Sequence, residues 1–318
     1  MSYSVSPELF FLVEKGSVLL WHCKTNSQYV LEPQFFNEIL EISRTSEPQD
    51  ETIFDALVET SVCTPSSKKM PDWHWDQLSL LFHSGTRDIH GIAIDATPDV
   101  FAENYLKECQ LIEKNAPNFF QEKAGALVDL PKPNLAFNDM TYHDVIKARK
   151  TSRDFYDKPI SIQQLSDILF GSFGLIHGEW NELESSGLKI AGVRKATPAS
   201  GGLHVEEAYI TVFRVEGLPS GIYYYRPQDH KLNLLKLGDF EEEIIALNNN
   251  QFFQRGMAFG VYLTARLDKY SWKYQHSRTY RVMLLDMGHV SQTFILTATA
   301  AGFNTWITGV FKDTETES

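Results

Sequence analysis

The spacing of apolar residues along the chain predicts alternating strands and helices. In the first half, patterns of period two and of period 3.6 follow one another over short distances. The predicted strands are 9–13 and 17–21, and the predicted helices are 33–43, 52–60, 73–83 and 100–115. Strands mixed with short helices predict a winged-helix-like module at residues 1–75, followed by a helical connector at residues 76–134.

The second half of the chain has clearer signals for where helices and strands begin and end. Prolines in the stretch 129–134 favour extended backbone, and capping-box spacings follow at Thr141 with Asp144 and at Ser161 with Gln164. The predicted strands are 208–215, 222–225, 232–235, 257–265 and 303–311. A long, mostly apolar helix at 280–301 must be covered on nearly every side. This interleaving predicts an α+β fold for a domain at residues 135–318.

Charge narrows the range of partners. The chain has 318 residues, 43% of them hydrophobic, and a formal net charge of -12. Nucleic acids and anionic lipids reward basic surfaces, so we expect neither as a partner. The apolar run 282–301 contains Asp286 and His289, which argues against a membrane span.

The spacing of the cysteines and histidines bears on whether the chain forms disulfides or metal sites. Cys23, Cys63 and Cys109 are far apart and form no CxxC pair, so we expect neither a disulfide framework nor a zinc site. The histidines show no ligand spacing, and we expect no metal. The first residues lack the basic and apolar segments of a signal peptide. These features predict a cytoplasmic protein with reduced thiols.

A basic segment, Arg149-Lys150-Thr151-Ser152-Arg153, ends a short predicted helix in this acidic chain. Its three cations and two hydroxyls are the donors that a phosphate group needs. The alternative is a solvated basic helix end, which also suits the negative pole of the helix dipole.

A turn of small residues precedes the strand predicted at 208–215. Its residues are Pro198, Ala199, Ser200, Gly201 and Gly202. Small residues let backbone N–H groups approach a flat or anionic ligand, although a Gly-Gly sequence before a strand is also an ordinary turn.

Lys273 and Tyr274 are adjacent in a segment that also contains Arg278 and Arg281. A lysine beside a tyrosine can act as base and acid when burial or nearby charge tunes both groups. The alternative is that the lysine extends to solvent while the tyrosine packs.

The order of these motifs resembles the nitroreductase superfamily, and within it the SagB-type azoline dehydrogenases of streptolysin S and microcin-like peptide biosynthesis. The resemblance covers about residues 126–311. The matching stretches are Leu130-Pro131-Lys132-Pro133, the basic segment with Asp154-Phe155, the turn 197–204, Gly217 to Tyr225, Trp272-Lys273-Tyr274, Leu285 to Gln292 and Gly302 to Phe311.

The resemblance implies a mixed, antiparallel-rich central sheet flanked by helices, a long buried central helix and bound flavin mononucleotide (FMN). Arg149, Thr151 and Arg153 would contact the FMN phosphate or pyrimidine edge. The turn from Pro198 to Gly202 would lie along the flavin, and Thr308 with Gly309 would face its N5 atom.

The resemblance also implies a reaction and partners. The reaction is oxidation of a thiazoline or oxazoline in a modified peptide to the azole, with Lys273 and Tyr274 handling the substrate proton. The family forms homodimers with FMN at the subunit interface, and cyclodehydratase or other synthetase proteins are further expected partners.

The sequence departs from the family pattern at two places. The chain ends at Ser318, where family members add a helix and a strand, so we expect the usual C-terminal segment to be lacking. Ser277-Arg278-Thr279 stands where a Gly-Arg-Gly-like turn is usual, which puts the shape of this loop in question.

Two other functions are alternatives. One is an NAD(P)H-dependent nitroreductase or quinone reductase, although such enzymes usually lack the N-terminal extension. The other is a catalytically silent flavin-fold scaffold or peptide-binding subunit of a synthetase complex.

Overall fold

A computed structural model describes residues 3–66, 73–87, 97–135, 137, 140–177 and 192–317. The described chain divides into two units. One unit comprises the described residues up to 87 together with 276–281, and the other comprises the remaining described residues from 97 onward.

The first unit has an antiparallel meander followed by helices. Its elements are β1 (Tyr3–Val5), β2 (Leu9–Glu14), β3 (Ser17–His22), β4 (Ser27–Leu31), α1 (Pro33–Thr45), α2 (Glu51–Glu59), β5 (Cys63–Pro65) and α3 (Gln77–Gly85). β2, β3 and β4 form one sheet, and β5 pairs with β1. The core contains Leu20, Ile39, Ile42 and Leu57. The winged-helix-like assignment and the domain limits at 75 and 134 stay predictions.

The second unit alternates strands and helices. Its elements are α4 (Pro98–Glu113), β6 (Leu127–Asp129), α5 (Tyr142–Ala148), β7 (Ile160–Ser161), α6 (Ile162–Phe173), β8 (Glu206–Val212), β9 (Val215–Glu216), β10 (Gly221–Arg226), β11 (Lys231–Leu237), α7 (Glu241–Leu247), β12 (Phe259–Ala265), α8 (Leu267–Lys273), α9 (Arg278–Ala300, whose first four residues group with the first unit) and α10 (Asp313–Glu317).

The second unit is built on a five-stranded sheet in the order β12-β8-β10-β11-β6, in which every neighbouring pair is antiparallel. A short parallel pair, β7 with β9, lies outside this sheet. Alternating apolar residues direct one face of β8 and β10 inward. The predicted α+β fold, with an antiparallel-rich sheet and flanking helices, is confirmed.

Helix α6 packs its apolar stripe on the sheet. The capping box of Ser161 and Gln164 begins this helix, and Leu165 and Phe173 lie in one core with Ile210 and Leu232 of the sheet. Each satisfied cap removes unpaired backbone donors from the helix start. The cap therefore fixes where α6 begins, and the buried stripe fixes which face it presents.

A buried polar chain ties α6 to the β10–β11 hairpin. The Tyr225 hydroxyl lies 2.9 Å from Nδ1 of His230, and Nε2 of that ring lies 2.7 Å from Oγ of Ser166. The Ser166 hydroxyl donates to the carbonyl oxygen of Pro131 at 2.6 Å. Buried polar groups cost free energy unless they are paired, so this chain holds hairpin, helix and the 129–134 segment together.

Helix α9 is covered along only part of its length. Val290, Ile295 and Ala298 are buried, whereas Leu284 and Leu285 are 51% and 62% exposed. The expectation that this helix is covered on nearly every side therefore holds for its second half. In the first half, one apolar face is open in the single chain.

The strand expected at 303–311 is not formed. A single bridge joins Thr305 to Thr151, and Trp306 packs edge-to-face on Phe253 with ring centres 5.0 Å apart. The Thr308 hydroxyl accepts a hydrogen bond from the Val310 N–H at 2.9 Å. These side-chain contacts bend the segment, so its alternating apolar residues do not join a sheet.

Replacing Leu232 by alanine should lower the free energy of unfolding by about 2–5 kcal/mol, because this fully buried side chain would leave a cavity. Leu237→Ala in the same strand is the matched control, since Leu237 is 59% exposed and should change stability by no more than about 0.5 kcal/mol. Urea unfolding of both variants measures the difference. Equal losses would show that the core does not lie on this face of β11.

Candidate functional site

The Pro198–Gly202 turn has a backbone that only small residues adopt without strain. Gly201 and Gly202 have φ values of 61° and 67°, in the left-handed region that favours glycine. The N–H of Gly202 donates to the carbonyl oxygen of Ala199 at 3.1 Å. The turn is thus a fixed, tight loop directly before β8.

Lys273 and Tyr274, at the end of α8, lie against this turn. The Lys273 ammonium donates to the carbonyl oxygen of Gly201 at 3.3 Å. A Cβ atom added to Gly201 would meet the Tyr274 hydroxyl at 2.6 Å and the Lys273 Nζ at 2.9 Å. The φ of Gly201 favours glycine, and a side chain there would displace the ends of Lys273 and Tyr274. The structure thus brings the turn and the Lys-Tyr pair together.

Burial shifts the pKa values of Lys273 and Tyr274 in opposite directions. The pKa of Lys273 is lowered, mainly because burial disfavours the ammonium ion. Burial raises the pKa of Tyr274, and the nearby Cys109 and Asp286 add to this effect. The amine therefore loses its proton more readily than a lysine in water, while the phenol keeps its proton.

Helix α4 contributes a side of the site that the sequence did not predict. The Lys273 ammonium lies 5.8 Å from the centre of the Tyr105 ring. Burial and the neighbouring Cys109 thiol raise the pKa of Tyr105 to about 12. The Trp272 indole donates to the carbonyl oxygen of Ile112 at 2.8 Å and anchors the end of α4 on α8. The sequence shows this segment only as a helical connector, without a motif that points to the site.

A buried ionic cluster supports the far end of the turn. The Lys195 ammonium lies 2.8 Å from Oε1 of Glu206, and Nδ1 of His204 lies 3.3 Å from the same oxygen. Burial alone would raise the pKa of Glu206, but the Lys195 charge and the His204 hydrogen bond lower it. Glu206 is therefore ionised, and its pairing offsets the cost of burying the charges.

Lys269 extends this cluster to the backbone of the turn. Its ammonium donates to the carbonyl oxygen of His204 at 2.9 Å and lies 5.2 Å from the Phe119 ring centre. Burial, together with the Lys195 charge, lowers the pKa of Lys269 to about 8. The sequence analysis also missed this residue, because its partners lie about 65 positions away in the chain.

The basic segment lies in a second group of contacts. The Ser152 N–H donates to the carbonyl oxygen of Thr305 at 2.8 Å, and the Arg153 guanidinium lies 5.5 Å from the Phe253 ring centre. In the described part of the chain, no carboxylate forms an ion pair with Arg149, Lys150 or Arg153. These cations are therefore available to an anionic ligand.

Thr308 and Gly309 belong to the same second group. The Gln251 amide donates to the Thr308 hydroxyl at 3.2 Å and to the carbonyl oxygen of Val310 at 2.9 Å. A Cβ on Gly309 would meet nothing within 4 Å, so this position opens to space. The predicted site residues thus fall into two groups, the turn with the Lys-Tyr pair and the basic segment with 304–310.

A model of the nitroreductase family matches residues 146–317, more than half of the chain. The chain belongs to the nitroreductase family. The match includes the basic segment, the Pro198–Gly202 turn and the Lys-Tyr pair, and it excludes α4.

Two curated proteins of Rhizobium leguminosarum bv. trifolii are similar to this chain. The trifolitoxin operon protein TfxC is 24% identical over 197 residues, which are 61% of this chain and 55% of TfxC. The trifolitoxin-processing protein TfxB is 29% identical over 118 residues, which are 35% of this chain and 31% of TfxB. This chain therefore spans about half the length of TfxC and about a third of that of TfxB.

A solved structure has the same fold. The crystal structure of a proposed nitroreductase from Anabaena variabilis ATCC 29413 matches with a TM-score of 0.53 and 19% sequence identity. The match covers 80% of this chain and 46% of the Anabaena protein. At this identity, the similarity establishes the fold of the family and no function.

Three features of this nitroreductase-family site fit a flavin. Gly201 and Gly202 give the turn a left-handed backbone with no side chain in the way of a flat ligand. Among the described residues, the Thr197 hydroxyl beside the turn is buried without a hydrogen-bond partner, and such a group calls for a partner. The cations of the basic segment supply donors for a phosphate. The residues present therefore match the needs of FMN.

No group of three or more His, Cys, Asp or Glu residues is arranged to hold a metal ion within the ranges that the structure covers. Over the same ranges, none of the helices combines the length and apolarity needed to cross a bilayer.

Glu206→Ala should lower the free energy of unfolding by about 3–5 kcal/mol, because it leaves the buried Lys195 charge unpaired. The control is Glu242→Ala, which removes an exposed partner of Arg255 and should change stability little. Urea or thermal unfolding compares the two variants. A Glu206→Ala protein as stable as the control would show that the Lys195–Glu206 pair does not support the turn.

Proposed function

We propose that this protein is an FMN-dependent dehydrogenase that oxidises a thiazoline or oxazoline ring of a modified peptide to the azole. The observation that carries this proposal is the half-buried Lys273–Tyr274 pair packed against Gly201. Taking hydrogen from a ring carbon needs a base beside the hydride acceptor. Similarity to TfxC and TfxB, whose names refer to trifolitoxin, supports a peptide-modifying pathway.

The residues that would hold FMN come from both groups of the site. Pro198, Ala199, Ser200, Gly201 and Gly202 would accept the flavin ring, and Arg149, Thr151 and Arg153 would bind its phosphate or pyrimidine edge, with Thr308 and Gly309 completing the site. When bound, FMN supplies the acceptor for the hydride that leaves the substrate ring. Lys150 and Arg153 are exposed, whereas Arg149 and Ala199 to Gly202 of the turn are half-buried.

Lys273 is the proposed proton acceptor. Aromatising an azoline removes two hydrogens from neighbouring ring carbons, one as a hydride and one as a proton. The proton passes to the Lys273 amine, whose pKa is lowered by burial. Tyr274 keeps its proton because burial raises its pKa, so its hydroxyl can donate a hydrogen bond to the substrate. A simple nitro or quinone reductase has no carbon-bound proton to remove from its substrate.

The proposed active form is a homodimer in the cytoplasm. Leu284 and Leu285 leave an apolar face of α9 uncovered in the single chain, and burial of such a face against a second copy is favourable. The helical connector and the N-terminal module are proposed to meet the peptide or cyclodehydratase-type partners. The domain at 135–318 is proposed to carry the chemistry.

Lys273→Met should lower the rate of azoline oxidation by about 100-fold or more, since a positioned base contributes factors of about 10² to 10⁴. Tyr274→Phe should have a smaller effect. The rate for the unaltered protein should rise with pH as Lys273 loses its proton, and this dependence should vanish in Lys273→Met. Formation of azole from an azoline-containing peptide, with FMN bound, measures the rate.

The control for this experiment is Lys24→Met, an exposed lysine of the first unit. Full turnover by Lys273→Met with bound FMN would rule out the proton-acceptor role. Rapid NADPH-driven reduction of nitroaromatics without azoline oxidation would assign the protein to the reductases instead. Failure to bind FMN, with tight binding of a peptide or partner, would indicate a scaffold.

Arg149→Ala and Arg153→Ala should each raise the dissociation constant for FMN about tenfold or more, because a charged hydrogen bond contributes about 1.5–3 kcal/mol. Arg44→Ala, which alters an exposed arginine paired with Glu41, should leave FMN affinity unchanged. Quenching of FMN fluorescence gives the constants. Unchanged affinity in both site variants would mean that the basic segment does not hold the phosphate.

A further inference from the structure

Asp286 is a buried carboxylate that connects α9 to the turn. Its side chain is 7% exposed, and its Oδ2 accepts a hydrogen bond from the Ser200 N–H at 2.8 Å. The two residues are 86 positions apart in the chain. A buried carboxylate is costly unless it accepts such bonds, so the contact fixes Ser200 relative to α9.

The same carboxylate oxygen also accepts a hydrogen bond from the Tyr270 hydroxyl. Tyr270 is 3% exposed and lies in α8, and its carbonyl oxygen accepts the N–H of Tyr274 at 2.7 Å. Burial and the Asp286 charge raise the pKa of Tyr270, so this hydroxyl keeps its proton and remains a donor. One oxygen atom therefore joins the turn to the helix that carries the Lys-Tyr pair.

We infer that Asp286 and Tyr270 are positioning residues that set the separation between the Lys273–Tyr274 pair and the Ser200–Gly202 turn. The inference rests on the proposed function, in which the turn holds the flavin and the pair holds the substrate proton. The Tyr274 hydroxyl and the Lys273 ammonium lie where a Cβ on Gly201 would be, so the positions of the pair and of the turn depend on each other. The Asp286 oxygen that accepts hydrogen bonds from both Ser200 and Tyr270 couples the turn to α8.

The geometry separates the effects of the two residues. Loss of the Tyr270 hydroxyl releases α8 and leaves the bond between Asp286 and Ser200 intact. Loss of the Asp286 side chain releases both α8 and the turn. Tyr270→Phe should therefore affect turnover more than FMN affinity, whereas Asp286→Ala should affect both.

The experiment compares Tyr270→Phe, Asp286→Ala and Asp286→Asn for azoline oxidation, its pH dependence and FMN affinity. Tyr270→Phe should lower kcat by about 10- to 100-fold with KM little changed, because small misplacements at a reacting centre have effects of this size. Its pH profile should shift with the altered surroundings of Lys273. FMN affinity should stay within about threefold of the unaltered protein.

Asp286→Ala should also weaken FMN binding about tenfold, since the turn loses its charged acceptor. Asp286→Asn keeps an acceptor oxygen for the Ser200 N–H and should recover most of the FMN affinity. The matched control is Tyr262→Phe, which removes another half-buried tyrosine hydroxyl, bonded to the Asn248 side chain at 2.8 Å. This control should keep kcat, the pH profile and FMN affinity.

The outcomes separate this inference from the proposed function. If the unaltered protein oxidises azolines but Tyr270→Phe matches Tyr262→Phe in every measurement, the positioning role is wrong. The role is also wrong if Asp286→Ala binds FMN as tightly as Asp286→Asn does. If the unaltered protein binds FMN but oxidises no azoline, the proposed function fails. The FMN affinities of the Asp286 variants then still test whether Asp286 fixes the position of the turn.

Discussion

The close approach of Gly201 to Lys273 and Tyr274 is the constraint on which the rest of the site depends. A Cβ on Gly201 would displace the Tyr274 hydroxyl and the Lys273 ammonium, so the placement of this pair depends on the glycine. Charged groups hold the turn from two sides, with Asp286 on the Ser200 N–H and Lys269 on the His204 carbonyl. Asp286 and Lys269 are themselves buried, and the hydrogen bonds offset the cost of burying their charges.

Burial links this packing to reactivity. The same surroundings that exclude water from α8 lower the pKa of Lys273 and raise that of Tyr274. An exposed lysine would stay protonated near pH 7 and could not accept a proton. Tyr105 of α4 lies beside Lys273, although α4 lies outside the part of the chain that the family model matches.

The sequence predicted those features that depend only on residues close together in the chain. The capping boxes at Thr141 and Ser161 are confirmed because each needs only a partner three residues away, and Lys273–Tyr274 and the Gly201 turn are local motifs. Asp286 was noted only as a polar residue of the apolar run 282–301 and within the matching stretch Leu285 to Gln292. Its bonds to Ser200 and Tyr270 exist because folding joins distant segments, and no local pattern encodes that. The irregular 303–311 segment was missed for the same reason, since it contacts Phe253 and Thr151, which are distant in the chain.

The two groups of the site differ in exposure, and this difference suits their proposed tasks. Lys150 and Arg153 are exposed and Arg149 is half-buried, and the exposed cations can meet a phosphate at little cost in desolvation. A phosphate dianion beside Lys273 would raise the pKa of the amine and keep it protonated. The pKa values of the half-buried pair are instead shifted by burial, with the nearby Cys109 acting on both groups and Asp286 on Tyr274. In the proposed mechanism, placing the phosphate in the other group of contacts therefore keeps its charge away from the amine that accepts the proton.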